Sequence, residues 1–62
     1  MQEKVHEIVE SYLTENRITK GSFISTATVI DIIGYVFETI PMNYSKAEIL
    51  VLEELKKRKI NF

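Results

Sequence analysis

The sequence predicts an all-α domain of three helices, spanning residues 1–62 and completed by a second copy of the chain. Three observations support this fold. The first third has apolar residues at helical spacing, the last third opens with a helix-start signal, and the middle third is too apolar to lie on a surface. A chain of 62 residues is too short for more than one domain.

The first predicted helix spans about residues 2–15. Its apolar residues recur at i, i+3, i+4, i+7 and i+8, a spacing that places them on one face of a helix. These residues are Val5, Ile8, Val9, Tyr12 and Leu13. Residues 16–25 interrupt the pattern at Gly21 and are predicted to form a loop, in which a short strand would need a partner to pair with.

The middle helix is predicted over about residues 26–39, although its apolar residues are rich in β-branched types, which favour strands. These residues are Val29, Ile30, Ile32, Ile33, Tyr35, Val36, Phe37 and Ile40. Asp31, Gly34 and Glu38 are spaced i, i+3, i+7, so they form one narrow polar stripe on a helix but scatter over both faces of a strand. The spacing therefore indicates a helix.

Short boundary signals flank the two later helices. Ser25 or Thr28 is suited to cap the start of the middle helix, and Pro41 ends it. Ser45 and Glu48 match the capping box, which predicts a third helix over about residues 45–59. The apolar face of this third helix consists of Ala47, Leu50, Val51 and Leu55, broadened by Ile49 and Leu52.

The apolar middle helix is the reason to expect a homodimer. Full burial of its eight large apolar side chains would contribute on the order of 12–24 kcal/mol, at about 1.5–3 kcal/mol each. Leaving half of them in water would forfeit a sum comparable to the whole stability of a typical domain, about 5–15 kcal/mol, and two neighbouring helices cover only part of such a helix. The predicted dimer or partner interface consists of Ile30, Ile33, Val36, Phe37, Ile49, Leu52 and Phe62.

The composition argues against an enzyme and against a cofactor. The chain has no cysteine, which excludes disulfides, thiolate zinc sites and iron–sulfur clusters, and its one histidine excludes a histidine-rich metal site. His6 and Glu10 are spaced i, i+4, but a lone pair without a cleft indicates a surface helix rather than an acid–base or metal site. Asp31 is expected either on the solvated stripe or half-buried and paired with Arg17 or Lys20.

A membrane span is not expected, although residues 23–42 have the length for one. Asp31 would lie near the bilayer centre at a cost of about 2.5–3.5 kcal/mol. The chain does not begin with the basic and then apolar order of a secretion signal, and the absence of cysteine fits a reducing compartment. A cytoplasmic location is therefore expected.

Nucleic-acid binding is the second functional hypothesis. Its candidate contacts are Lys46, Lys56, Lys57, Arg58 and Lys59, and residues 28–58 have the outline of a helix-turn-helix. Three observations argue against nucleic-acid binding. Cations at a helix C-terminus also complement the helix dipole, and Glu53–Lys57 and Glu54–Arg58 have the spacing of local ion pairs. The net charge of the chain is −1. The sequence thus favours a non-enzymatic interaction or regulatory protein that binds proteins as a homodimer, with a dimeric DNA-binding regulator as the alternative.

Overall fold

The three predicted helices are present in the predicted order. A computed structural model describes the backbone of residues 2–62 and the side chains of residues 3–62. Helix α1 spans Gln2–Glu15, α2 spans Thr26–Thr39 and α3 spans Tyr44–Lys57. The first two helices have the predicted bounds, whereas α3 begins one residue earlier and ends two residues earlier than predicted.

All three helices contribute to one apolar core. Val5, Val9 and Leu13 form the buried stripe of α1, as their spacing predicts. The core continues with Val29, Ile32, Ile33, Val36 and Ile40 from α2 and its end, and with Ala47, Val51 and Leu55 from α3. Ile24 from the loop and Ile60 from the tail close one end of it.

The start of α3 differs from the predicted capping box. The Asn43 side chain accepts a hydrogen bond from the Lys46 amide at 2.7 Å, so Asn43 is the N-cap and Ser45 already lies in the first turn. Asparagine caps a helix as well as serine does. Starting at Tyr44 also lets its ring pack edge-on against Phe37, with ring centroids 5.6 Å apart. The cap of α2 is Ser25, which was one of the two predicted candidates.

The loop and the C-terminal tail pair with each other. Phe23 and Asn61 form an isolated parallel bridge, in which the Ile24 amide donates to the Asn61 carbonyl and the Asn61 amide donates to the Ser22 carbonyl, both at 2.8 Å. The extended piece of the loop therefore has the partner that a lone strand needs. This pairing holds Ile24 and Ile60 over the core.

Helices α1 and α3 end in the same way. The Ile18 amide donates to the Leu13 carbonyl, and the Ile60 amide donates to the Leu55 carbonyl, which is the six-to-one bond of a Schellman motif. Arg17 and Lys59 occupy the left-handed position, with φ of 57° and 59°. Within the described part of the chain, no helix is long and apolar enough to cross a membrane.

The capping assignment makes a testable prediction. Replacing Asn43 by alanine leaves the Lys46 amide without its acceptor and is expected to cost about 1 kcal/mol of unfolding free energy. For a domain of this size that corresponds to a melting temperature about 4–8 °C lower. Ser45→Ala is the matched control, since Ser45 caps nothing.

Thermal unfolding followed by circular dichroism measures both variants. A larger loss in Ser45→Ala than in Asn43→Ala would restore the capping box and contradict Asn43 as the cap.

Candidate interaction surfaces

The structure leaves several large apolar side chains on the surface. Each is between 43% and 76% exposed, and they come from all parts of the chain after α1. They are Phe23, Ile30, Tyr35, Phe37, Tyr44, Ile49 and Phe62. A contiguous group of such residues is a typical mark of a binding surface, whereas isolated ones are ordinary.

The predicted interface residues divide into two groups. Ile33 and Val36 are 2% and 0% exposed in the single chain, because their face of α2 packs against α1 and α3. They therefore belong to the core and do not lie at the surface for a partner to contact. Ile30, Phe37, Ile49 and Phe62 are exposed, and Leu52 is half-buried.

Part of the exposed apolar surface lies where α2 meets α3. Ile30 and Phe37 are two helical turns apart on one side of α2, and Phe37 contacts Tyr44 at the start of α3. Leu52 is half-buried against the core, and around the axis of α3 it lies almost opposite Glu54, which faces α1. Ile49 lies one turn before Leu52, on the outer side of α3 opposite the core residues Ala47 and Val51. We call Ile30, Phe37, Tyr44, Ile49 and Leu52 the α2–α3 face.

A charge cluster centred on the buried Glu54 joins α1 to α3. The Glu54 side chain is 3% exposed, and its Oε1 lies 3.0 Å from His6 Nδ1 and 3.4 Å from Arg58 Nη2. Arg58 also pairs with the Glu10 carboxylate and donates to the His6 carbonyl at 3.3 Å. Because His6 and Glu10 meet Glu54 and Arg58 in the same order, α1 and α3 run parallel.

One of the two predicted local pairs is present, and contacts between α1 and α3 are added to it. His6 contacts Glu54 and Arg58 rather than Glu10, and its Nδ1 donates to Glu54 when protonated or accepts from Arg58 when not. The Glu54–Arg58 pair is present, while Lys57 lies 3.8 Å from Glu54 rather than pairing with Glu53. Helical spacing contained the signal for Glu54, because it lies one turn after the core residue Val51 and two turns after the core residue Ala47.

The basic run at the end of α3 is divided by this cluster. The Arg58 side chain is only 18% exposed and faces α1, and Lys57 is near Glu54. Lys46, Lys56 and Lys59 are exposed. A run of four cations in the sequence is therefore not a run of four free cations at the surface.

The ion pair with Arg58 has a consequence for Glu10. A hydrogen bond from the Arg58 guanidinium, followed by its positive charge, holds the pKa of the Glu10 carboxyl below its ordinary value of 4.5. The carboxylate form is favoured because it is the form that pairs with the cation.

Tyrosines and carboxylates line the seam between α1 and α2. The Tyr12 hydroxyl donates to Asp31 at 2.9 Å, and the rings of Tyr12 and Tyr35 lie 5.6 Å apart. Partial burial, followed by the hydrogen bond to Asp31, raises the pKa of the Tyr12 phenol. Asp31 is exposed on the polar stripe of α2, and its partner is Tyr12 rather than Arg17 or Lys20.

Two concavities lie on either side of this tyrosine pair. The larger, of about 690 Å³, is lined by Tyr12, Ala27, Thr28, Ile30, Asp31, Gly34, Tyr35 and Glu38. The smaller, of about 330 Å³, is lined by Lys4, Glu7, Ile8, Ser11, Tyr12, Glu15 and Tyr35. We call the two together the α1–α2 groove.

Comparisons of the chain with protein-family models, with curated proteins and with solved structures found no match. Within residues 3–62, no group of three histidine, aspartate or glutamate side chains has an arrangement that would hold a metal ion.

The charge cluster predicts that Arg58 stabilises the fold more than its basic neighbours do. Arg58→Met leaves the buried Glu54 carboxylate without its guanidinium, and we expect a loss of about 3 kcal/mol of unfolding free energy. Lys56→Met, at an exposed position of the same run, is expected to change it by less than about 0.5 kcal/mol.

Urea unfolding of the two variants and the wild type measures the difference. Equal stabilities of Arg58→Met and Lys56→Met would show that the cluster contributes nothing to the packing of α1 on α3.

The lowered pKa of Glu10 predicts a dependence on acid pH. A carboxyl whose pKa is lower in the folded than in the unfolded state stabilises the fold at any pH above its unfolded-state pKa. That contribution is lost as the pH falls through its folded-state pKa. The melting temperature of the wild type should therefore exceed that of Glu10→Gln at about pH 6, and the difference should shrink below pH 4.5.

Measuring both proteins across the same pH series cancels the titration of groups that they share. A difference that stays constant down to about pH 2 would contradict the ion pair as its source.

Proposed function

We propose that the protein is a small non-enzymatic interaction protein, which acts by protein–protein binding and forms a homodimer through the α2–α3 face. The single observation that supports this proposal most is the exposure of Ile30, Phe37, Tyr44 and Ile49 after the three helices have formed their core. The absence of cysteine fits a reducing compartment, so we propose the cytoplasm as its location.

The energetic argument concerns the part of these side chains that the single chain leaves in water. Ile30 and Ile49 are 53% and 56% exposed, so covering each contributes about 1 kcal/mol. A domain of this length is only marginally stable alone, which makes several such contributions a large fraction of the total. Burial by a partner therefore adds substantially to the stability of the fold.

A symmetric dimer suits a surface of this kind. In a two-fold interface the same patch is used by both copies, so an apolar face pairs with itself without needing complementary charges. The aromatic pair Phe37–Tyr44 supplies the large rings that dominate interface energies, and Leu52 joins the exposed face to the core.

DNA binding is the alternative, and the exposed lysines Lys46, Lys56 and Lys59 are what favours it. Two features weigh against it. The Arg58 guanidinium is occupied by Glu10 and Glu54, and the Asn43 side chain at the start of α3 is occupied in capping that helix. With a net charge of −1, the chain has little excess positive charge to neutralise DNA phosphates and release their counterions.

The proposed dimer predicts the effect of a charge on the α2–α3 face. The wild type is expected to have about twice the mass of the 7.2 kDa chain at high concentration. Ile49→Glu and Phe37→Glu should each lower dimer affinity at least tenfold, because a carboxylate buried at the interface loses its hydration. Light scattering over a concentration series measures this mass.

Thr14→Glu is the matched control, because it adds the same charge at an exposed position of α1. Circular dichroism shows whether each variant remains folded. A wild-type monomer at all concentrations, or equal weakening by the control, would contradict the dimer. Binding of a labelled DNA duplex in about 50 mM salt with a steep salt dependence would support the alternative instead.

A further inference from the structure

We infer that the α1–α2 groove binds a helix of another protein that carries lysine or arginine side chains two turns apart. This inference does not rest on the proposed dimer, although the groove and the α2–α3 face share Ile30 at their boundary. It rests on the shape of the groove, on the unneutralised charges along it and on the tyrosine pair at its centre.

The shape of the groove centres on Gly34. Gly34 lies in the middle of α2, where glycine is the least favourable residue after proline. A Cβ built at this position meets no atom within 4 Å, so no packing contact in the chain requires glycine there. Gly34 has no side chain, and Ala27, two turns earlier, has a small one. The backbone of a second helix can therefore approach α2 closely at these positions.

The charge of the groove is negative and unneutralised. Asp31 and Glu38 line its larger concavity, and Glu7 and Glu15 line the smaller one with Lys4. None of these four carboxylates forms an ion pair with another residue in the range 3–62, in contrast to Glu10 and Glu54. Charge complementarity therefore favours a cationic occupant.

The tyrosine pair suits the side chains of lysine and arginine in particular. Both combine a long apolar stem with a charged head, so the stem packs along the rings of Tyr12 and Tyr35 while the head reaches a carboxylate. The hydrogen bond from the Tyr12 hydroxyl orients the Asp31 carboxylate at the edge of the groove.

The spacing of the acids sets the spacing of the cations. Asp31 and Glu38 are seven residues apart on α2, which corresponds to about 10 Å along the helix axis. A helix lying along α2 would match them with two cations that are also seven residues apart.

The test uses a fluorescein-labelled alanine-based helical peptide that carries two arginines seven residues apart, and the same peptide with glutamates as the negative probe. Fluorescence anisotropy at about 50 mM and about 300 mM salt measures binding to the full chain. We expect the wild type to bind the arginine peptide, more weakly at the higher salt, and not to bind the glutamate peptide.

Two variants change the groove, and one matched variant changes only the net charge. Asp31→Asn combined with Glu38→Gln, and separately Gly34→Leu, should each weaken binding at least tenfold. Glu3→Gln combined with Glu53→Gln removes the same charge outside the groove and should leave binding within twofold. Circular dichroism confirms folding of each variant, and Gly34→Ala serves as a second variant if Gly34→Leu does not fold.

Several outcomes would overturn the inference. They are no binding by the wild type at the lower salt, equal loss in the matched charge variant, or wild-type affinity in a folded Gly34→Leu. A gain of binding when Lys56 and Lys59 are both replaced by glutamine would show that the basic end of a second copy fills the groove instead. Retained peptide binding by Ile49→Glu would separate this site from the proposed dimer face.

Discussion

Helix α2 has more apolar surface than α1 and α3 together can cover, and the arrangement of the chain follows from this imbalance. Packing of α2 buries Ile32, Ile33 and Val36 in the centre of the domain. Its opposite side then has to face water, and the polar stripe of Asp31, Gly34 and Glu38 lies there. Ile30 and Phe37 lie between the buried side and the solvent-facing side of α2, where the single chain leaves them about half exposed.

The three seams between the helices differ in chemistry, although they share one core. The α1–α3 seam is joined by a buried ion cluster around Glu54 and Arg58, and the α1–α2 seam by a tyrosine hydrogen-bonded to a carboxylate. At the α2–α3 seam the rings of Phe37 and Tyr44 pack edge-on. The exposed rings of Tyr35 and Phe37 lie along the two seams of α2.

The ion cluster also explains which of the local pairs predicted at the end of α3 forms. Spacing along a helix predicts pairs such as Glu53–Lys57, whose exposed charges gain little free energy from pairing in water. The other predicted pair, Glu54–Arg58, does form, and the buried Glu54 and half-buried Arg58 also reach His6 and Glu10 on α1. The same burial takes Arg58 out of the basic run, and this changes which cations are available to a nucleic acid or a protein.

The sequence by itself determined the three helices, the order of their elements and most of the core, because apolar periodicity and boundary residues are local signals. Val5, Val9, Val51 and Leu55 lie in the core because each helix can bury only one stripe. Tertiary structure decided what depends on two helices at once: the burial of Ile33 and Val36 within one chain, the partners of Glu54, and the groove beside Tyr12 and Tyr35. Predicting those features requires knowing which helix faces cover one another, and spacing along a single helix does not specify that.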